Sequence, residues 1–517
     1  MPKGQTNSAE VLIALAPGPG ALRHRLEAAL LEDIASGRLA PGTALPPSRA
    51  LADALGISRW VVTEAYGHLV NKGILEARTG SATRVAAAVP DDAAGSRPDT
   101  GPSAGSPARV ARPVRVNGRA GPVPGGPAPG PVAERAPDRA THDLAPGVPD
   151  LRHVPRQAWL RAARDALAEA SNLDLGAQPA AGHPGARSAV ATHLRRARVV
   201  SAPDGAVVLT RGATDGMSRI AAALADAGHT HLLVEDPSWA ALRDVAADAG
   251  LTPVPVPVDD DGITVDGLHA ATARTGARAL LLTPAHQFPL GAVLPDGRRA
   301  DVLDWARQVD GLVVEDDYDA EFRYDRRPVP TLQGRGPDRV LLLGSTSKTL
   351  SPAFGIGWMV VPERWRAAVL GVSVRRGPAP GPSTLDQLTL ARFVGDGAYA
   401  RHLRAARARY SRRRAALLAA LGRELPGARV GGIAAGMHVT VDLAGVDLPG
   451  VDPGALDVAA VVREGAAREV ALVDVRRYRA VPPARSTVLV VGYGNLADAR
   501  LGEAVRGLRA AVEAAAR

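Results

Sequence analysis

Lysine occurs only at Lys3, Lys72 and Lys348, in a chain that carries 62 lysine and arginine side chains. Past position 72 the remaining permanently charged basic side chains are all arginine. A guanidinium keeps its proton, whereas a lysine amine can lose one and attack a carbonyl to form an imine. Lys348 stands in "LLLGSTSKTLSPAFGIGW" (residues 341–358), between an apolar run and a proline-containing loop. It is the candidate imine former. A second apolar run ends in "VVEDDYDAEF" (residues 313–322), which sets Asp316 and Tyr318 two apart. In an extended segment that spacing turns both to one side.

A carboxylate and a phenol facing one way beside an imine-forming lysine suit pyridoxal 5′-phosphate (PLP). The carboxylate keeps the pyridine nitrogen protonated, and the phenol donates to the 3′-oxygen. Two further stretches fit. "LTRGATDGMSRI" (residues 209–220) reads as a strand, a glycine turn and a helix start. There Gly212, Ala213 and Thr214 offer N–H groups and a hydroxyl to a phosphate. "VEDPSWAAL" (residues 234–242) brings Trp239 to a strand end, where an indole can stack on a pyridine face. Ser345 and Ser347 flank the lysine and can add phosphate hydrogen bonds.

The elements that must hold these residues alternate. Strands are expected at 206–210, 231–235, 279–283, 311–315, 340–343 and 357–361, with helices at 215–225, 239–249 and 298–309. That alternation predicts an α/β domain with a mostly parallel sheet. A smaller α+β lobe follows, opening with an arginine-rich helix around 399–421. The division expected is residues 15–86, a Pro/Gly/Ala-rich linker over 87–140, and residues 141–517. At about 50 residues the linker would reach roughly 35–40 Å.

Residues 15–86 carry their own pattern. "ALRHRLEAALLEDIASGRL" has helical apolar spacing, "PPSRALADALG" is a short helix with Ser48 as its cap, and "ISRWVVTEAYGHLVNKG" is a helix opened by Ser58 and closed by Gly73. "ILEARTGSATRV" reads as a hairpin turning at Gly80. Three helices and a trailing hairpin predict a winged helix-turn-helix. In that module the second helix of the pair enters the major groove, so Ser58, Arg59, Trp60 and Thr63 would meet base edges. Arg59 suits a guanine edge. Ser48 and Arg49 suit a phosphate, and Thr79 and Gly80 form the wing tip.

Composition sets outer limits. The absence of cysteine excludes disulfides and thiolate metal sites, and no metal site is expected. The net charge of +9 permits an anionic partner, although an arginine-rich composition explains it equally well. No apolar run approaches the roughly 20 residues of a membrane span, and the start lacks a secretion-signal layout. A cytoplasmic protein without a membrane partner is expected.

Residues 37–85 closely resemble the GntR-type winged-helix family, through Gly37, Leu39, Pro41, Gly42, Leu45, Pro46, Ser48, Arg49, Leu51, Ala52, Ser58, Arg59, Val62, Ala65, Tyr66, Leu69 and Gly73. Trp60 is bulkier than that pattern expects. From about Asp143 onward the chain resembles a fold type I PLP-dependent aminotransferase, through "TPAHQFPLGAVL" (283–294), "EDDYDAEFRYD" (315–325) and "GSTSKTLSP" (344–352). The fusion resembles the MocR/GabR family of bacterial transcriptional regulators. The resemblance implies PLP on Lys348, Asp316 at the ring nitrogen, Tyr318 at the 3′-oxygen and Trp239 stacked on the ring. It also implies that His286 and Gln287 lie in a motif lining the pocket. A double-stranded DNA operator, an amine, amino-acid or PLP effector, and a homodimer are implied too. The alternatives are a working aminotransferase with a secondary DNA module, and a repressor that keeps the fold as a scaffold without PLP. Three positions depart from the pattern. Gly355 stands where an arginine holds the phosphate, Val490 where an arginine holds a substrate carboxylate, and "GAQPAAGHP" (176–184) lacks a tyrosine expected near the phosphate.

Overall fold

The computed structural model describes residues 22–35, 38–71, 74–76, 83–86, 141–324, 330–375 and 381–517. The chain divides into two compact units, Met1–Gly126 and Pro127–Arg517. All of the expected linker, and Gly73, Thr79 and Gly80, lie outside the described residues.

The first unit comprises α1 (Leu22–Ala35), α2 (Ser48–Leu55), α3 (Arg59–Asn71) and an antiparallel pair, β1 (Leu75–Glu76) with β2 (Arg84–Val85). Apolar residues from all five elements, among them Leu26, Leu51, Val62, Leu69, Leu75 and Val85, form one core. Gly56 closes α2 in the left-handed region at φ 61°, which a side chain disfavours, and so allows the tight turn into α3. Ser48 is the first residue of α2 rather than its cap. Pro47 takes the cap position with extended backbone and no side-chain cap bond, because proline's fixed φ suits the residue entering a helix.

The second unit begins with β3 (His142–Asp143), α4 (Arg156–Glu169) and α5 (Pro184–Arg198). Alternation follows: β4 (Val207–Thr210), α6 (Ala213–Asp226), β5 (His231–Asp236), α7 (Ala240–Asp248), β6 (Thr252–Asp259), β7 (Gly262–Ile263), α8 (Val265–Thr275), β8 (Ala279–Leu282), α9 (Asp296–Gln308), β9 (Leu312–Asp316), β10 (Val340–Ser345) and β11 (Gly357–Val360). Helices α10 (Glu363–Arg375), α11 (Thr384–Gly395) and α12 (Ala398–Glu424) lead to a lobe of β12 (Arg429–Gly431), β13 (His438–Asp442), α13 (Val458–Ala467), β14 (Val470–Ala471), β15 (Val473–Asp474), β16 (Val488–Gly492) and α14 (Leu501–Ala515).

Among the described residues the main sheet has the order β4-β11-β10-β9-β8-β5-β6-β7. The run β10-β9-β8-β5-β6 is parallel, while β11 and β7 are antiparallel to their neighbours. Both faces are covered. Leu232, Val234, Leu281, Val314 and Leu341 pack into one cluster, and Leu233, Leu280, Leu282, Val313 and Val340 into another. This explains why these strands read as continuous apolar runs.

Strand β6 was not expected from sequence, because "TPVPVPVD" places a proline at every second position. Thr252 donates from its backbone toward Thr230, on the β5 side. With period-2 alternation Pro253, Pro255 and Pro257 all lack their N–H on the opposite side, where β7 pairs only with Val258 and Asp259. Prolines in phase on one side leave the β5 ladder intact.

Candidate functional site

The C-terminal ends of the parallel strands and the adjoining loops converge on a cavity of about 280 Å³. This is where an open α/β sheet binds its ligands. Its wall includes Lys348, Asp316, Tyr318, Trp239, Gly212, Ala213, Thr214, Ser345 and Ser347. Nine of the ten residues singled out from sequence for the cofactor therefore share one space.

Each arrives by a local rule. Asp316 ends β9 and Ser345 ends the neighbouring parallel strand β10. Lys348 follows three residues on, and its Nζ donates to the Gly147 carbonyl. Gly212 caps α6 at φ 110° without a side-chain cap bond, leaving the first-turn N–H groups of α6 toward the cavity. A Cβ on Gly357 would sit 2.6 Å from Gly212 Cα, so glycine in β11 allows that turn to approach the sheet. Trp239 precedes α7, is 42% exposed, and its ring centroid lies 5.8 Å from Lys348 Nζ. It is a wall residue rather than core.

The four acids of "EDDYD" have four different fates. Glu315 accepts from the backbone of Leu332 and Gln333 at 3.0 and 2.8 Å. Asp317 takes a two-pronged pair from Arg198, both contacts 2.9 Å. Asp319 Oδ2 lies 2.9 Å from His286 Nδ1. Asp316 is buried on the cavity wall and its Oδ1 has no hydrogen-bond partner among the described residues. Burial, then the charges of Asp317, Asp319 and Glu235, push its carboxyl from 3.8 up to about 7, against the pull of Lys348. Glu235, whose carboxylate accepts from Thr283 at 2.9 and 2.7 Å, is pushed up to about 7 by burial.

His286 is not on the cavity wall. It is buried behind Tyr318, whose hydroxyl lies 3.0 Å from the same Nδ1 that faces Asp319. Burial pushes the Tyr318 phenol well above 10, so it stays a donor. Gln287 is also behind the wall, where its amide donates to Pro237 and Phe288 carbonyls at 2.8 Å each. His286, Asp319 and His438 offer ligand atoms within 4.8 Å of one another. His438 Nε2 meets the Pro289 carbonyl at 3.1 Å, and His286 Nδ1 faces Asp319, while His286 Nε2 is buried without a hydrogen-bond partner among the described residues.

The wall also contains Gly147, Arg211, Leu242, Thr283, Phe288, Asp319, Pro352, Met437 and His438. Apart from Arg211, which the sequence offers in place of the phosphate arginine missing at Gly355, sequence reading did not assign them to the site. Thr283 and Phe288 lie inside the "TPAHQFP" stretch, which was a usable signal. Met437 and His438 come from the second lobe, more than 85 residues from Lys348, and nothing local marks them. At the departing positions, Gly355 closes a short 3-10 turn at φ 57°, and Arg211 is the guanidinium on the wall near α6. Val490 on β16 is fully buried with Phe288, Val475 and Tyr478.

In the first unit, Ser58, Arg59, Trp60 and Thr63 are exposed at the start of α3, Trp60 by 67%. Val61 N–H donates to Ser58 Oγ at 3.4 Å and Tyr66 OH to the Pro46 carbonyl at 3.0 Å, which ties α3 to the turn before α2. Arg49 is exposed and Ser48 half-buried where α2 begins.

Residues 142–481 match the family described as aminotransferase class I and II, and residues 22–85 match the bacterial regulatory proteins of the gntR family. The chain is similar to the probable rhizopine catabolism regulatory protein MocR of Rhizobium meliloti, with 33% identity covering 78% of each chain. It is also similar to the HTH-type pyridoxine biosynthesis transcriptional regulator PdxR of Corynebacterium glutamicum, with 31% identity over 84% of this chain and 86% of that one. An archaeal alanine:glyoxylate aminotransferase shares the fold at TM-score 0.64 and 22% identity, covering 72% of this chain and 91% of that structure. Among the described residues no helix is long and apolar enough to cross a membrane.

Proposed function

Since this chain belongs to the aminotransferase class I and II family and carries a gntR-family domain ahead of that fold, the arrangement of MocR-type regulators, we propose that it is a DNA-binding transcriptional regulator that holds PLP at Lys348. In this reading residues 15–86 grip a double-stranded operator, 87–140 are the linker and 141–517 sense an amine, an amino acid or PLP itself. It works as a cytoplasmic homodimer on paired half-sites. The observation that carries the reading is the unpartnered Asp316 Oδ1, buried on the same wall as Lys348.

The residues fit the cofactor. Asp316 would accept from a protonated ring nitrogen, which supplies the partner its oxygen lacks. Tyr318, kept neutral by burial, would donate to the 3′-oxygen. Trp239 would cover one ring face. The phosphate would take N–H groups from the start of α6, the hydroxyls of Thr214, Ser345 and Ser347, and positive charge from Arg211 in place of the arginine that Gly355 replaces. When bound, PLP supplies an aldehyde for amine exchange and a ring that withdraws electrons. Lys348 supplies the amine that tethers it. His286 and Asp319 hold the Tyr318 hydroxyl in place from behind. Ligand arrival alters DNA affinity only by favouring one arrangement of the protein.

The test is covalent capture. Borohydride treatment of the PLP-loaded chain, followed by peptide mass mapping, should place a pyridoxyl group on Lys348, and Lys348→Ala should lose both the adduct and the visible absorbance. Absence of the adduct from the unmodified chain would overturn the reading.

A further inference from the structure

We propose that the ligand admitted beside the cofactor is a primary amine with an apolar or aromatic body and no carboxylate. This rests on PLP being held at Lys348. Among the described residues on the wall the cationic side chains are Arg211 and Lys348. Lys348 is committed to the cofactor. Arg211 is exposed at the α6 end, where its Nε approaches the Gly381 carbonyl at 3.4 Å.

The sheet order puts β4 and α6 on one side of β9, and β8 and β5 on the other. The wall on that other side includes Trp239, Phe288, Tyr318, Met437 and His438, with Thr283 and Asp319. Phe288 packs edge-on against Tyr318, His438 and Tyr478, with ring centroids 6.0, 5.1 and 4.8 Å apart. His438 adds no charge, since burial pulls it down to about 3. Behind Phe288, Val490 closes the cluster, and its neighbours across the sheet are Thr440 and Val473.

The other ionisable groups nearest this wall are acids. Asp319 lines the cavity beside Asp316, which the ring nitrogen would engage, and Glu235 is buried behind it. A ligand carboxylate beside these rings would leave water for aromatic surface, meet no cation among the described residues of that side and face acidic groups. An ammonium group approaching the same surface is drawn by the carboxylates and the ring faces.

The test uses the full chain with PLP uptake confirmed first by absorbance, so that failure to load counts against the cofactor reading and not against this one. Calorimetric titration then compares 2-phenylethylamine with L-phenylalanine, which differ only in the carboxylate, and with 3-phenylpropionate, which lacks the amine. The amine should bind at least about tenfold more tightly than the amino acid, and 3-phenylpropionate should give no measurable heat. Equal or tighter binding of L-phenylalanine, or binding of none of the three to the loaded chain, would overturn the proposal.

Discussion

Replacing Asp316 by asparagine should strengthen the PLP-free protein while weakening its hold on PLP. The unliganded carboxyl is buried with an unpartnered oxygen, and its pKa stands at about 7 against an ordinary 3.8, because of burial first and the Asp317 charge second. A folded carboxyl that keeps its proton to higher pH than the unfolded one costs stability as pH rises from about 4 to 7, and the loss is complete above 7. A shift of about three units is worth at most about 4 kcal/mol. Asparagine has nearly the same shape and never ionises. PLP-free D316N should therefore melt higher than the unsubstituted chain at pH 8, and the difference should shrink toward pH 5. PLP binding should move the other way. Loss of a charge-assisted hydrogen bond of about 1.5–3 kcal/mol lowers affinity roughly 10- to 150-fold at pH 8. That disadvantage should be about tenfold smaller at pH 6, where roughly nine in ten Asp316 carboxyls titrating near 7 are still protonated. Thermal melts of the PLP-free forms and PLP titrations followed by absorbance, each at two pH values, read every quantity. A variant that is less stable at pH 8, or that binds PLP as tightly as the parent, would show that Asp316 does not face the ring nitrogen.

Three further outcomes are expected. Arg59→Ala should weaken operator binding by about 1–3 kcal/mol with little change in non-specific DNA affinity; fluorescence anisotropy on both DNAs checks it, and unchanged operator affinity would move the reading surface off α3. Gly436→Ala should destabilise the large unit by about 2–3 kcal/mol and loosen PLP binding. Gly436 sits at φ +67°, and an added Cβ would press on His286 and lie 2.6 Å from Asp319 Oδ2, the pair behind Tyr318. Denaturation midpoints and PLP affinity report it. Arg413 is buried and donates to Asp150, Asp498 and the carbonyls of Tyr493 and Gly494, so Arg413→Ala should cost about 3–5 kcal/mol. Against the opposing effect of burial, hydrogen bonds from Arg152 and Arg413 hold Asp150 at about 2. Its contribution is present above 3.8 and is lost as pH falls through 2; acid unfolding of the variant should begin at higher pH.

The element pattern was legible because local physics wrote it. Strands β4, β5, β8, β9, β10 and β11 fall within two residues of their expected ends, since a strand covered on both faces must be apolar throughout. Lys348 stood out because arginine cannot do its chemistry, and Gly212 because a turn into a helix needs its backbone freedom. Strand β6 was hidden because its prolines are tolerable only in one phase relative to a neighbour, and that phase is a property of the sheet.

Sequence alone thus predicted a winged helix-turn-helix, a mostly parallel sheet and a lysine suited to imine chemistry. It also singled out Asp316 and Tyr318. Tertiary structure decided what sets Asp316 apart from the other acids of "EDDYD". Arg198, His286 and the backbone of Leu332 and Gln333 arrive from distant parts of the chain to satisfy three of the four, leaving Asp316 turned to the cavity. Met437 and His438 on the opposite wall, and Val490 behind Phe288, come from the second lobe and reach this place only through the tertiary fold. Charge and burial depend on what is near in space, and neighbours along the chain carry little information about that.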